Sequence, residues 1–125
     1  MINDILLYIG STVIILWGLA HIAFTKVIVS GFEPISRDNR LVFTMEWIAE
    51  GLTLCFIGML VLLITVLEGT DNSVSIFVYR ASAAMLIFRA VLSLFTGART
   101  PNIPYKLCPP IFTTVAILFI VGSLL

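Results

Sequence analysis

The sequence predicts an all-α integral membrane protein in which four transmembrane helices form one bundle. Of its 125 residues, 60% are hydrophobic and only 11% are charged, and the mean hydropathy is +1.14. A soluble domain of this length cannot bury so much apolar surface, because its surface is large relative to its volume. Four long apolar runs, each near or above the roughly 20 residues that a spanning helix needs, predict that a lipid bilayer covers this surface.

Polar, turn-rich segments separate the four runs within a single predicted domain, residues 1–125. The segment 31–40 separates the first two runs, and a short turn joins the second to the third, which predicts an antiparallel helical hairpin. The loop 97–104 precedes Pro109 and Pro110, which are predicted to begin the fourth helix because proline is tolerated in a first helical turn. The predicted helices cover about residues 5–29, 41–67, 74–96 and 109–125.

The distribution of basic residues predicts the orientation. Both termini and the middle turn together hold Asp4, Glu68 and Asp71 but no Lys or Arg. By the positive-inside rule, the first and third loops are cytoplasmic and both termini are on the non-cytoplasmic side of the plasma or bacterial inner membrane. Zero net charge and the lack of a basic run predict no nucleic-acid partner. The basic residues in or beside those two loops are Lys26, Arg37, Arg40, Arg99 and Lys106.

Two carboxylates in the second apolar run are the strongest functional signal. Glu46 and Glu50 are four residues apart, which places both on one face of a helix. A charged side chain at the centre of a bilayer costs roughly 2.5–3.5 kcal/mol or more, so such a face is predicted to point into the bundle.

Other polar groups are predicted to lie at the same depth. At 1.5 Å per helical residue, Glu46 and Glu50 are roughly 8 and 13 Å from the cytoplasmic helix end, and His21 is roughly 12 Å deep. Arg89 in the third helix is roughly 10 Å deep. Two carboxylates and one guanidinium leave an excess negative charge, unless a proton or His21 balances it. The predicted residues of this cytoplasm-proximal ligand- or proton-binding cavity are His21, Glu46, Glu50, Arg89, Trp17 and Trp47.

Simpler structural roles are compatible with the same residues. Arg89 with Glu46 or Glu50 can form a buried ion pair that only joins two helices, and such pairs are poor evidence of function by themselves. His21 with the two glutamates does not predict a metal site, because the ligands come from different helices without an ExxH spacing. The sequence does not identify a cofactor or a catalytic residue, and both stay unknown at this point.

Part of the sequence resembles small DoxX-like membrane proteins. The resemblance lies in the order Trp17 to Lys26, then Gly31-Phe32, then Glu50 to Leu54, and covers roughly the first half of the chain. It implies a four-helix membrane protein. Some DoxX-like proteins are associated with quinone-linked oxidation of sulfur compounds, and most have no assigned activity.

Three function classes follow as hypotheses. The preferred one is binding of a small amphipathic or quinone-like ligand, or service as an accessory subunit in a homo-oligomer or larger membrane complex. The alternative is a proton-coupled small-molecule transporter that works as a dimer. Membrane enzymology ranks last, because no nucleophile or metal motif accompanies the possible acid–base groups.

Overall fold

The computed structural model describes residues 1–125, and they form an all-α bundle with no strand. Four of the helices are long and apolar enough to cross a membrane, counting α4 together with the 3₁₀ turn that follows it. The protein is therefore an integral membrane protein whose apolar surface contacts lipid. The elements are α1 (Ile2–Ala23), α2 (Thr25–Ser30), α3 (Arg37–Glu68), α4 (Ser73–Phe95), a 3₁₀ turn (Gly97–Arg99) and α5 (Ile103–Leu124).

The four long helices form a ring in which α1 packs against α3 and α5, and α4 packs mainly against α5. Although a short turn connects α3 to α4, these two helices have the least extensive contact of any neighbouring pair in the ring. The core joins fully buried side chains from all four helices, including Ile14, Leu54, Leu86 and Phe112. The seam between α3 and α4 is consequently the least tightly closed side of the bundle.

Glycines bring α1 and α3 into close backbone contact. A Cβ atom added at Gly18 would lie 2.7 Å from the carbonyl oxygen of Gly51, and one added at Gly51 would lie 2.6 Å from the carbonyl oxygen of Gly18. Such distances leave no room for a side chain at either position. Consecutive helical residues are about 100° apart around the axis, so turning Gly51 toward α1 directs Glu50 to a different side of α3.

The first predicted helix, residues 5–29, is divided in the structure. Helix α1 ends at Ala23, Phe24 separates the two segments, and α2 continues from Thr25 to Ser30. The Thr25 hydroxyl donates a hydrogen bond to the His21 carbonyl oxygen at 2.7 Å, across the junction. This places the break beside His21 and carries α2 over the end of the bundle where the predicted site lies.

The predicted start of the fourth helix near Pro109 is wrong, because α5 begins at Ile103. Pro104 occupies its first turn, and Pro109 and Pro110 lie inside the helix. Neither internal proline has an N–H to donate to the carbonyl four residues earlier, so the helix continues here with fewer backbone hydrogen bonds. The longer helix makes Tyr105 and Cys108 helical residues at the end of the bundle that holds the site.

Candidate functional site

A cavity of about 440 Å³ lies at one end of the seam between α3 and α4. Its size is within the range of small-molecule pockets, which is about 300–1,000 Å³. Residues from α1, α2, α3, α4 and α5 all contribute to its wall. The polar or ionisable side chains of this wall are His21, Glu46, Glu50, Ser93, Thr96, Thr100, Tyr105 and Cys108.

An ion pair between Glu50 and Arg89 crosses the seam beside this cavity. The Glu50 side chain is 29% exposed and that of Arg89 is 17% exposed. The guanidinium carbon of Arg89 also lies 5.7 Å from the centre of the Phe112 ring, within the range of a cation–π interaction. Arg89 therefore links α3, α4 and α5, and its charge is largely compensated by Glu50.

His21 is almost fully buried between two indole rings. Its ring centre lies 5.3 Å from that of Trp17, in an edge-on arrangement, and 4.6 Å from that of Trp47. Its Nδ1 atom is 2.8 Å from the Trp17 carbonyl oxygen. Because a carbonyl oxygen only accepts, this contact assigns the proton to Nδ1. In the neutral ring Nε2 is then the acceptor, and it lies 4.0 Å from the Cys108 sulfur.

A second cavity of about 370 Å³ lies on the other side of His21 and Trp47. Its wall is almost entirely apolar and includes Trp17, Phe24 and Leu107. His21 and Trp47 line both cavities. These two rings thus stand between a cavity with polar groups and an apolar one.

The structure brings together most of the sequence-predicted site residues, but not as one buried cluster. Glu50 and Arg89 are paired, and His21 packs against Trp17 and Trp47. Glu46 also lines the 440 Å³ cavity, but it is exposed and belongs to no ion pair. The predicted single level of four buried ionisable groups therefore separates into a paired charge, a buried imidazole and an exposed carboxylate.

Sequence reasoning named Trp47 as a site residue but missed the other three rings of an aromatic wall in the same cavity. The Trp47 and Tyr105 rings lie 5.4 Å apart, Tyr105 and Phe32 lie 6.4 Å apart, and Phe32 and Phe43 lie 5.2 Å apart. These rings come from three separate segments, and only Phe43 and Trp47, four residues apart on α3, are connected by a helical spacing. A further signal was Tyr105 beside Lys106, an amphipathic pair typical of a membrane interface.

No group of three or more His, Cys, Asp and Glu side chains is arranged to hold a metal ion. Comparison of the chain with protein-family models, curated proteins and solved structures found no match. The function proposed for the protein therefore depends on the chemistry of the cavity.

Proposed function

We propose that the protein binds a small amphipathic or quinone-like ligand in the cavity between α3 and α4. The observation that carries this proposal is the composition of the wall. It places aromatic rings and two carboxylates around about 440 Å³ of space within a bundle of apolar helices. Pockets that bind small molecules typically combine an apolar lining with a few polar groups that orient the ligand.

The location of the cavity supports an amphipathic ligand over a wholly polar one. The cavity lies at the seam between α3 and α4, which have the least extensive contact of any neighbouring pair in the ring. A molecule dissolved in the bilayer can present its polar end to Glu46 while an apolar part contacts Ile28 and Leu92. The adjoining apolar cavity beyond Trp47 offers further room for a hydrocarbon tail.

Quenching of tryptophan fluorescence tests the proposal. Trp17→Phe leaves Trp47, which lines the cavity, as the single tryptophan. Purified in micelles of an uncharged maltoside detergent, this variant is titrated with amphiphiles that share a brominated undecyl tail, because bromine quenches an adjacent indole. We expect saturable quenching by at least one of them, in addition to the linear quenching caused by partition into the micelle.

A matched pair of substitutions distinguishes binding in the cavity from contact with lipid. Ser93→Phe adds bulk to the cavity wall, whereas Leu94→Phe changes a neighbouring side chain that is 54% exposed. Saturable quenching should disappear with Ser93→Phe and persist with Leu94→Phe. Non-saturable quenching in the parent protein, or equal quenching in both variants, contradicts the proposal.

The orientation is part of the same proposal. The end of the bundle that holds the cavity also carries Lys26, Arg37 and Lys106, which favours a cytoplasmic position for that end in the plasma or bacterial inner membrane. A single cysteine in the turn 69–72, introduced after Cys55 and Cys108 are replaced by alanine, should react with an impermeant maleimide added outside intact cells. Labelling only after lysis would reverse the orientation.

One observation favours the transporter alternative. Glu46 is exposed and one helical turn from the paired Glu50, an arrangement in which a proton can pass from the cytoplasmic surface to the ion pair. A transporter dimer predicts substrate-dependent proton movement in proteoliposomes that Glu46→Gln abolishes. The accessory-subunit hypothesis predicts instead that the protein purifies with a larger membrane complex after mild solubilisation.

A further inference from the structure

We infer that the ligand of the α3–α4 cavity is a cation, an amphiphile with a primary to quaternary ammonium head group. This inference rests on the proposed function and names the class of ligand. It is carried by two features of one wall, an uncompensated carboxylate and a set of aromatic rings.

The charges around the cavity favour a positive ligand. Two carboxylates line it, and none of the seven Lys and Arg residues does. Arg89 reaches Glu50 from beside the cavity and compensates that one carboxylate. Glu46 belongs to no ion pair, so the cavity without a ligand has one uncompensated carboxylate, which a positively charged ligand can balance. An anionic head group would meet Glu46, and no Lys or Arg side chain lines the cavity to offset the repulsion.

The aromatic rings provide the second feature. Trp47, Tyr105, Phe32 and Phe43 follow one another at ring-centre distances of 5.4, 6.4 and 5.2 Å, and all four line the cavity. The face of an aromatic ring attracts a cation within about 6 Å, and several such rings around one site recognise ammonium groups. The rings also offer apolar contact to the methyl groups of a quaternary nitrogen, which an aqueous carboxylate site does not.

The positions of these residues explain why both features act on one head group. Phe43 is three residues before Glu46 in α3, which places both on one face of the helix, and Glu46 and Trp47 both line the cavity. Tyr105, in the first turn of α5, places its ring edge-on to Trp47. A head group between Glu46 and these rings therefore contacts a carboxylate and an aromatic surface together.

The test compares three head groups on one tail with the single-tryptophan protein described above. The probes are 3-bromoundecyltrimethylammonium, 3-bromoundecan-1-ol and 3-bromoundecyl sulfate, in which the bromine lies close to the head group that is expected beside Trp47. We expect the ammonium probe to reach half-saturation at a concentration on the order of tenfold below that of the alcohol, as one desolvated cation–π contact can provide. The sulfate should bind more weakly than the alcohol.

Two matched pairs of variants then assign the preference to this wall. Glu46→Gln should reduce the preference for the ammonium probe severalfold, whereas Glu68→Gln, which changes an exposed carboxylate at the far end of the same helix, should leave it unchanged. Tyr105→Leu should weaken ammonium binding severalfold, and Tyr105→Phe, which keeps the ring, should not. All four variants are first shown to elute as the parent does in size-exclusion chromatography.

The outcomes separate the two proposals. If all three probes quench saturably with equal affinity, the cavity binds amphiphiles but the inference of a cationic ligand is overturned. If Glu46→Gln and Glu68→Gln weaken the preference for the ammonium probe equally, the preference arises from general electrostatic attraction, and this result also overturns the inference of a cationic ligand. If no probe quenches saturably, both proposals fail.

Discussion

Glu50 on α3 and Arg89 on α4 form an ion pair across the seam between these two helices, which have the least extensive contact of any neighbouring pair in the ring. Apolar packing holds each of the two helices mainly to another neighbour, α1 for α3 and α5 for α4. The pair therefore supplies a specific link between helices whose direct packing is sparse. It also lies beside the cavity, so structural and binding roles depend on the same side chains.

Removing one partner of this pair should destabilise the protein more than removing both. Glu50→Gln leaves the Arg89 guanidinium without its counter-charge in a partly buried position, and we expect a loss of about 2 kcal/mol in the free energy of unfolding. The double variant Glu50→Gln with Arg89→Met removes the charge as well and should recover at least half of that loss. Equilibrium unfolding in mixed micelles measures both values.

The ion pair between Arg40 and Glu33 is the control for that experiment. Its side chains are 52% and 39% exposed, and exposed pairs contribute about 0–1 kcal/mol. Glu33→Gln should therefore change the free energy of unfolding by less than about 1 kcal/mol. Equal losses in unfolding free energy from Glu33→Gln and Glu50→Gln would show that the Glu50–Arg89 pair stabilises the protein no more than an exposed pair does.

The contact between Gly18 and Gly51 makes the α1–α3 interface sensitive to a single methyl group. In Gly51→Ala the new Cβ would lie 2.6 Å from the Gly18 carbonyl oxygen, so the helices must separate. We expect a loss of about 1–3 kcal/mol in the free energy of unfolding. In the control Gly97→Ala the nearest atom would be 3.4 Å away, an ordinary contact. A neutral Gly51→Ala variant would contradict the close packing of α1 on α3.

His21 should stabilise the bundle through packing and through its bond to the Trp17 carbonyl. His21→Ala removes a side chain that is only 4% exposed. Because the His21 ring separates the two cavities, its removal should join them. We expect a loss of about 2–4 kcal/mol in the free energy of unfolding. The emission of Trp47, as the single tryptophan, should also shift to longer wavelength as water enters. Leu19→Ala, at a side chain that is 51% exposed, should leave that emission unchanged.

A hydrogen bond at the opposite end of the bundle gives a prediction independent of the cavity. The Thr65 hydroxyl donates to the Val61 carbonyl oxygen at 2.6 Å, so the Tyr79 hydroxyl donates to Thr65 Oγ1 at 2.8 Å. Tyr79 is fully buried, and Tyr79→Phe should cost about 1 kcal/mol of unfolding free energy. Tyr8→Phe, at a residue that is 39% exposed, should cost almost nothing. Probe binding in the cavity should be unaffected by either variant.

The start of α5 and the aromatic wall of the cavity could not be predicted from the sequence. Proline is favoured in a first helical turn, so Pro109 and Pro110 predicted a helix start. In the structure Pro104 occupies that place, and the later pair lies inside the helix. Local preferences cannot choose between such alternatives, because the packing of α5 on α1 and α4 decides how far the helix extends. The same packing positions Tyr105, and with it the aromatic wall.

The sequence by itself determined the fold class and the approximate extent of the spanning helices. Hydropathy and helical periodicity are properties of consecutive residues, so they can be read without knowing what each helix touches. It also identified Glu50, Arg89 and His21 as polar groups that a membrane helix would not carry toward lipid. Depth along a helix follows from residue counting, which is why these groups were predicted near one end of the bundle.

Only the tertiary structure decided which of these groups meet. The rotation of α3, constrained by the contact between Gly18 and Gly51, pairs Glu50 with Arg89 and leaves Glu46 exposed at the cavity wall. Both glutamates satisfy the same helical spacing, so the sequence cannot distinguish them. Their difference arises from the neighbours that each one faces, and those neighbours belong to other helices.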